Sequence, residues 1–494
     1  MNNFIRIHSS DNVAVALKTV PAGTPVDLDG YAVTAAEEIP AGHKIALTDI
    51  PEGVNIIKYG FPIGHAKTDI RAGEHVHTHN VKSNLEGLRE YAYHPVKGTD
   101  RVEEPQTFMG YVRPDGRVGI RNEVWIIPTV GCVNGIAEAI EDRCRAEMPE
   151  GVERVCAYTH PYGCSQLGGD HLMTQRALCG LIRHPNAAGV LVLGLGCENN
   201  QIDDLKQVLG EYDPERVKFL VCQQVEDEIA EGTAIVKELM AAAAKCTREP
   251  VPASKLTVGL KCGGSDGFSG ITVNPLLGSF AEKLSAQGGA VMLTEVPEMF
   301  GAETMLMDRA ENEAVFEKTV ALINDFKEYF MRYGEKINEN PSPGNKKGGI
   351  TTLEDKSLGC VQKGGRITVR DVLHYGDTLT TPGLNLLQAP GNDLVAATAL
   401  AISGAQMILF TTGRGTPFGC PVPTVKVSTQ SDIAARKKNW IDFNAGMLLE
   451  GKTMAEETED LFAYVLQVAS GEKHPASEAL SKKNLAIFKD GVTL

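Results

Sequence analysis

From Phe108 onward, short apolar runs rich in β-branched residues alternate with Ala-, Leu- and Glu-rich stretches, and this alternation restricts the chain to parallel α/β layers. Val124-Trp-Ile-Ile-Pro-Thr-Val130 runs into Gly131-Cys-Val-Asn-Gly135, and Val190-Leu-Val-Leu193 into Gly194-Leu-Gly-Cys-Glu-Asn-Asn200. Leu256-Thr-Val-Gly-Leu260 runs into Lys261-Cys-Gly-Gly-Ser-Asp-Gly267. A buried type of strand thus ends three times in a cysteine within a glycine-rich polar turn. In open α/β sheets that carboxyl edge is where ligands bind.

The residues before Phe108 follow another pattern. Up to about residue 82 the strand-like runs are short and are punctuated by Pro21-Ala-Gly23, Pro40-Ala-Gly42 and Pro51-Glu-Gly53, as in a small all-β module of hairpins and tight turns. Residues 84–107 are polar, with Pro95, Gly98 and Pro105, and read as a linker. A second, softer boundary is expected near residues 247–255. The organisation predicted is therefore an all-β module over 1–83, a linker over 84–107, and α/β domains over 108–250 and 251–494. The turn-rich segment 338–349 is expected on the surface or over a site.

Charge and composition exclude several classes of function. Lys+Arg 48 against Asp+Glu 63 gives a net charge of −15, so neither nucleic acid nor an anionic membrane has electrostatic support as a partner. No signal-like start is present and no apolar run approaches the roughly 18 residues of a spanning helix. A cytoplasmic protein is expected. The 11 cysteines contain no C-x-x-C pair, and a chain of 494 residues needs no staples, so reduced thiols are expected.

Several motifs carry chemistry. In Gly73-Glu-His75-Val-His77-Thr-His79-Asn80 the β-branched spacers favour an extended strand, whose alternation would place three imidazoles on one face as candidate metal ligands. The strand-end cysteines Cys132, Cys164, Cys197, Cys262 and Cys360 are alternative ligands for a metal or an iron–sulfur cluster, although their spacing matches no local cluster signature. Gly194-Leu-Gly-Cys-Glu-Asn199 fails as a dinucleotide fingerprint, because Asn199 stands where Gly or Ala is needed, and no phosphate-binding G-x-x-x-x-G-K-[ST] loop occurs. No nicotinamide cofactor is expected. Turns bearing Asn199, Ser265, Asp266 and Arg414 offer amide, hydroxyl and guanidinium groups suited to a hydroxylated acid.

Read in order, Asp11-Asn-Val-Ala-Val-Ala-Leu17, Lys58-Tyr-Gly-Phe-Pro-Ile-Gly64, Val76-His-Thr-His-Asn80, Pro128-Thr-Val-Gly-Cys-Val-Asn-Gly135, Tyr162-Gly-Cys-Ser-Gln-Leu167, Gly194-Leu-Gly-Cys-Glu-Asn-Asn200, Cys262-Gly-Gly-Ser-Asp266, Leu293-Thr-Glu-Val-Pro-Glu-Met-Phe-Gly301, Pro341-Ser-Pro-Gly-Asn345 and Thr352-Leu-Glu-Asp-Lys-Ser-Leu-Gly-Cys360 resemble the altronate/galactarate dehydratase family from end to end. His65 and Cys420 depart from the pattern, where Tyr and Gly are usual. The resemblance implies an N-terminal SAF-type β-clip module followed by a large α/β catalytic region. It also implies Fe2+-dependent loss of water, with Mn2+ as an alternative, from a sugar acid: D-altronate to 2-dehydro-3-deoxy-D-gluconate in hexuronate catabolism. Within that reading His77, His79 and His75 hold the metal, with Asn80 and His65 supporting them. Glu198, Asn199, Ser265 and Asp266 bind hydroxyls and Arg414 the carboxylate, while His160, Glu295 and Lys356 are candidates for proton transfer. A homo-oligomer such as a dimer is expected. The alternatives are a galactarate dehydratase, a non-enzymatic sugar-acid sensor, and a thiol or iron–sulfur redox protein.

Overall fold

The computed structural model describes residues 3–480 and 483–493. Its N-terminal module consists of small antiparallel sheets, as the short runs and Pro-x-Gly turns require. One sheet orders Phe4–Ile5, Val13–Ala16, Lys44–Ala46 and His75–Val76; another joins Asn55–Lys58, Phe61–Ala66 and Val81–Lys82; Pro25–Leu28 and Tyr31–Thr34 form a hairpin. Phe4, Ala14, Val20, Ile39 and Ile45 make a small core of their own. Val13, Ile56, Ile63, Val76 and Val81 instead join the core of the C-terminal α/β region. The module is therefore welded to the rest of the chain through its second apolar face.

Residues 84–107 have no regular secondary structure up to Thr107, yet they are pinned along the C-terminal region. Val96 N–H donates to Asp308 O (2.7 Å), Thr99 N–H to Arg366 O (3.0 Å) and Tyr93 Oη to Ala310 O (2.7 Å). Thr107–Val112 then pairs antiparallel with Glu249–Pro252, which closes the segment between the two α/β regions into one small sheet.

The middle region is a parallel four-stranded sheet in the order Arg154–Ala157, Glu123–Pro128, Ala187–Gly194, Val217–Val221. Helices Asn134–Arg145 and Glu228–Ala243 cover one face; Gly168–Arg183 and Ile202–Leu209 lie on the other. The C-terminal region holds seven parallel strands, ordered Val369–Leu373, Gly383–Leu387, Ala290–Leu293, Thr257–Cys262, Met407–Thr412, Thr424–Ser428, Phe443–Asn444. Its central strands are buried along nearly their whole length, which is why they read as continuous apolar runs. The two sheets share one apolar layer, built from helices Gly168–Arg183 and Asp393–Ile402. At Gly180 any Cβ would stand 2.4 Å from Ile402 O, so glycine permits this close crossing.

The strand expected through the histidine motif is much shorter than alternation predicted. Only His75–Val76 is extended; residues 77–80 turn, because Asn80 Oδ1 accepts from His77 N–H (2.9 Å) and Asn80 Nδ2 donates to His75 O (2.9 Å). A side chain that satisfies two backbone groups competes successfully with the sheet ladder.

Candidate active site

The histidines gather at the seam between the β module and the C-terminal region. Lys44–Ala46 pairs with His75–Val76 in the register Lys44↔Val76, which sets His43 beside the motif. Ring centroids lie 5.1 Å apart for His43 and His75, 4.8 Å for His43 and His77, 5.6 Å for His75 and His77, and 5.4 Å for His75 and His79. His43 was not among the residues singled out from the sequence, because its partners lie more than 30 positions away and no local spacing announces it. His65, by contrast, turns to Asn84 Oδ1 at 2.6 Å and has no ring contact with the cluster.

His43 Nδ1 stands 3.0 Å from His75 Nε2. That is a ring–ring hydrogen bond, and also about the separation of cis donors around an octahedral ion whose bonds to imidazole are about 2.1 Å. His43 Nε2 lies 3.3 Å from Lys347 O, and His77 Nδ1 3.1 Å from Thr351 Oγ1, so the loop 338–349 and its continuation cover the cluster. Burial first, then the neighbouring imidazoles and Lys44, pull His75 down to about 4; burial, Lys44 and the other rings pull His77 down to about 3. Both rings are neutral near pH 7, the form that binds metals.

Behind the rings lies a buried triad of charges. Lys44 Nζ and Lys58 Nζ, both from the β module, each stand 2.9 Å from an oxygen of Asp355, on helix Leu353–Cys360 of the C-terminal region. Burial opposes the carboxylate, but the two lysines outweigh it and hold Asp355 well below the usual range. Lys44 is itself drawn down to about 8, by burial first. A small enclosed cleft opens beside this triad, lined by Lys58, Tyr59, Ser265, Asp266, Lys356 and Cys360 among others. Ser265 Oγ is buried there without a hydrogen-bond partner among the described residues. The loop around Ser265 is braced by Asn345 Nδ2, which donates to Ser265 O (2.8 Å), and by Gly267 N–H, which donates to Gly348 O (2.7 Å).

Asp266 is already well satisfied: it accepts from Phe268 N–H (3.1 Å), Thr429 Oγ1 (3.1 Å) and Gln430 Nε2 (3.3 Å), while burial raises its pKa. Exposed Arg414 sits on the adjoining turn, which Gly413 N–H ties to Gly264 O at 3.1 Å.

Below the cleft, strand-end Cys262 and helix-end Cys360 meet. Their sulfurs are 3.5 Å apart and lie 3.0 and 3.1 Å from Glu298 Oε2, and the ligand atoms of this trio all fall within 4.8 Å of one another. Glu298, one of several carboxylates in the run from Glu295 to Glu303, is drawn down to about 2 because Lys356, Lys363 and Lys261 outweigh its burial. Lys356 Nζ is paired with Glu298 (2.7 Å) and held charged, so it is an ammonium rather than a ready base. Glu295 is clamped between Lys261 (2.5 Å) and Lys363 (3.0 Å).

The remaining residues singled out from the sequence lie on the other sheet. His160 Nε2 meets Pro128 O (2.8 Å), its Nδ1 meets Tyr162 N–H (3.2 Å), and burial draws its pKa down to about 4. Glu198 accepts from Thr129 Oγ1 (2.6 Å) and from the amides of Leu195 (3.0 Å) and Gly196 (2.5 Å), and Asn199 Oδ1 from Ser165 N–H (2.8 Å). These three side chains build loops at the carboxyl edge of the middle sheet, beside Cys132, Cys164 and Cys197, and are not brought to the histidine cluster.

Comparison with known proteins agrees with this architecture. The SAF domain of altronate/galactarate dehydratase matches residues 2–84, the second domain of D-galactarate dehydratase/altronate hydrolase residues 110–244, and the C-terminal domain of D-galactarate/altronate dehydratase residues 253–493. The chain belongs to the altronate/galactarate dehydratase family. It is 54% identical to the altronate dehydratase of Escherichia coli strain K12, over 99% of this chain and 100% of that one. It is also 54% identical to the altronate dehydratase of Bacillus subtilis strain 168, with 100% of both chains covered. Identity to the galactarate dehydratase (L-threo-forming) of Escherichia coli is 34%, over 98% and 96%. Among the described residues, no helix is long and apolar enough to cross a membrane.

Proposed function

We propose that this chain is a hydro-lyase that converts D-altronate to 2-dehydro-3-deoxy-D-gluconate and water, with iron(II) as its metal. Full-length identity of 54% to two altronate dehydratases, against 34% to a galactarate dehydratase, carries the choice of substrate. The reaction removes a proton from C2, beside a carboxylate that is already negative, and expels hydroxide from C3. Such a step needs positive charge at the carboxylate as the enediolate develops. Bound iron(II) would supply a Lewis acid there.

The residues of the seam fit that requirement. His43 and His75 stand at donor–donor distance and His77 and His79 flank them, so the histidine cluster is the proposed metal site, with His75, His77 and His79 joined by His43. Among the described residues no three of these rings bring their nitrogens within 4.8 Å of one another, so the rings would have to draw together around the ion as it binds. Borderline imidazole donors suit a divalent first-row ion that must also grip oxygen. In the small cleft beside the cluster Ser265 Oγ is the unpartnered group proposed for a substrate hydroxyl, while Lys58 and Lys356, paired with Asp355 and Glu298, line it with positive charge; the cleft would have to widen to admit the acid. Arg414 is placed at the outer turn for the far end of the substrate. Lys356, held charged by Glu298, would act as a fixed positive charge that stabilises the departing hydroxide.

The decisive measurement is keto-acid formation under anaerobic conditions, with Fe2+ and without nicotinamide, across D-altronate, galactarate and related acids. D-altronate is expected to be the preferred substrate by at least tenfold in kcat/KM, a discrimination of about 1.4 kcal/mol. A preference for galactarate, or a requirement for NAD, overturns the proposal.

A further inference from the structure

Three of the 11 cysteines are exposed, and all three stand in one place. Cys132, Cys164 and Cys197 follow the carboxyl ends of strands Glu123–Pro128, Arg154–Ala157 and Ala187–Gly194, which are neighbours in the middle sheet. Free cysteine is among the most buried residue types, so three exposed thiols on one sheet edge call for an explanation.

The loops that carry them are built to hold position. Each cysteine follows a glycine that no larger residue could replace without displacing its surroundings. A Cβ at Gly163 would lie 2.1 Å from Thr129 O, at Gly131 2.9 Å from His160 O, and at Gly196 2.7 Å from Gln223 Oε1. The backbones are laced together: Gly131 N–H donates to Tyr162 O (2.9 Å), Asn200 N–H to Gly163 O (3.0 Å) and Asn200 Nδ2 to Thr129 O (2.9 Å). The braces formed by His160, Glu198 and Asn199 complete the lattice. Helices Asn134–Arg145, Gly168–Arg183 and Ile202–Leu209 each begin within five residues of their cysteine, so three positive helix ends converge where thiolates would carry negative charge.

We propose that Cys132, Cys164 and Cys197 hold an iron–sulfur cluster, with one iron left without a protein ligand. Soft thiolates select iron–sulfur clusters, zinc or copper(I). A single zinc ion would need its sulfurs about 3.8 Å apart, the edge of a tetrahedron with bonds of about 2.3 Å. Among the described residues, the one trio of candidate donors with all its ligand atoms within 4.8 Å is Cys262, Glu298 and Cys360. The three exposed sulfurs are therefore spread more widely than one ion requires, which sets a single zinc aside and leaves a multi-iron core with bridging sulfide as the thiolate-bound group to test. Cys197 Sγ at present accepts from Gln223 Nε2 at 3.5 Å and Cys164 Sγ lies 3.8 Å from Ser165 Oγ, weak contacts that ligation replaces. On ligation each thiol loses its proton to solvent as its sulfur bonds to iron, and the protein is neither oxidised nor reduced.

This inference goes beyond the dehydratase reading and is tested separately from it. The full chain is purified anaerobically and reconstituted with ferrous and ferric iron and sulfide; iron, acid-labile sulfide and visible absorption are then measured. Iron and labile sulfide in comparable amounts, with a broad visible band, are expected. Cys132→Ser, Cys164→Ser and Cys197→Ser should each lower labile sulfide at least tenfold without changing thermal unfolding of the metal-free chain, whereas Cys262→Ser and Cys360→Ser should leave it intact. Absence of labile sulfide from the reconstituted wild type, stoichiometric zinc without sulfide, or retention of the cluster in the triple Ser variant overturns the inference. Keto-acid formation is read on the same samples: a cluster-bearing chain that leaves D-altronate unchanged supports the cluster and sinks the dehydratase reading alone.

Discussion

Replacing His75 and His77 together by alanine is expected to remove the catalytic iron and to lower turnover of D-altronate by about a thousandfold. The magnitude follows from the several kcal/mol that a Lewis acid contributes to a charge-building transition state, at about 1.4 kcal/mol per tenfold. The fold should survive, because neither ring belongs to an apolar core; the residue between them, Val76, does, and it is unchanged. Iron bound per chain, keto-acid formation and the unfolding midpoint, measured on one preparation, separate loss of metal from loss of structure. If iron and turnover were unaffected, the site would move to Cys262, Glu298 and Cys360, and the double variant Cys262→Ala/Cys360→Ala would then become the inactive one.

A second large effect is expected at Asp355, whose carboxylate anchors the β module to the C-terminal region. Asp355→Ala leaves Lys44 and Lys58 buried with their mutual repulsion uncompensated, and should cost about 3–5 kcal/mol in urea unfolding, the usual penalty for breaking a buried ion pair from one side. The triple change Lys44→Met/Lys58→Met/Asp355→Leu, which removes all three charges, should recover most of that loss. Wild-type stability of the single variant would show that the seam does not depend on this triad. The same group fixes an acid limit. Its pKa is lowered from 3.8 by the two lysines, so the stability it confers is fully present above about pH 4 and is lost progressively as the pH falls below that value. The metal-free chain should accordingly lose its seam in acid, read as exposure of Tyr59 and separation of the module by limited proteolysis, before the seven-stranded core unfolds.

The architecture was largely legible in the sequence because its signals are local. A continuous apolar run such as residues 407–412 declares a strand buried on both faces, and the Pro-x-Gly turns declare short antiparallel hairpins. The motif order marked the family, and the edge positions of Cys132, Cys197 and Cys262 followed from strand ends alone. The apolar pattern could not show that one face of the β module would share its core with the distant C-terminal region. That sharing turns a small module into part of the site.

The functional groups divided along the same line. Alternation marked His75, His77 and His79 as a cluster, although for an inexact reason: the rings meet through a turn closed by Asn80 rather than along a strand. His43 and the Lys44–Asp355–Lys58 triad had no signature, because the charges that neutralise one another lie about 300 positions apart and only packing of the two regions makes their burial affordable. Tertiary structure likewise decided which partners each polar residue has. His160, Glu198 and Glu295 sit in motifs that suggest chemistry, but their lone pairs and charges are consumed by loop amides and lysines. Sequence determines which elements form and which residue types reach the sheet edges; the fold alone determines which of those groups remain unsatisfied, and an unsatisfied group is what a ligand can bind.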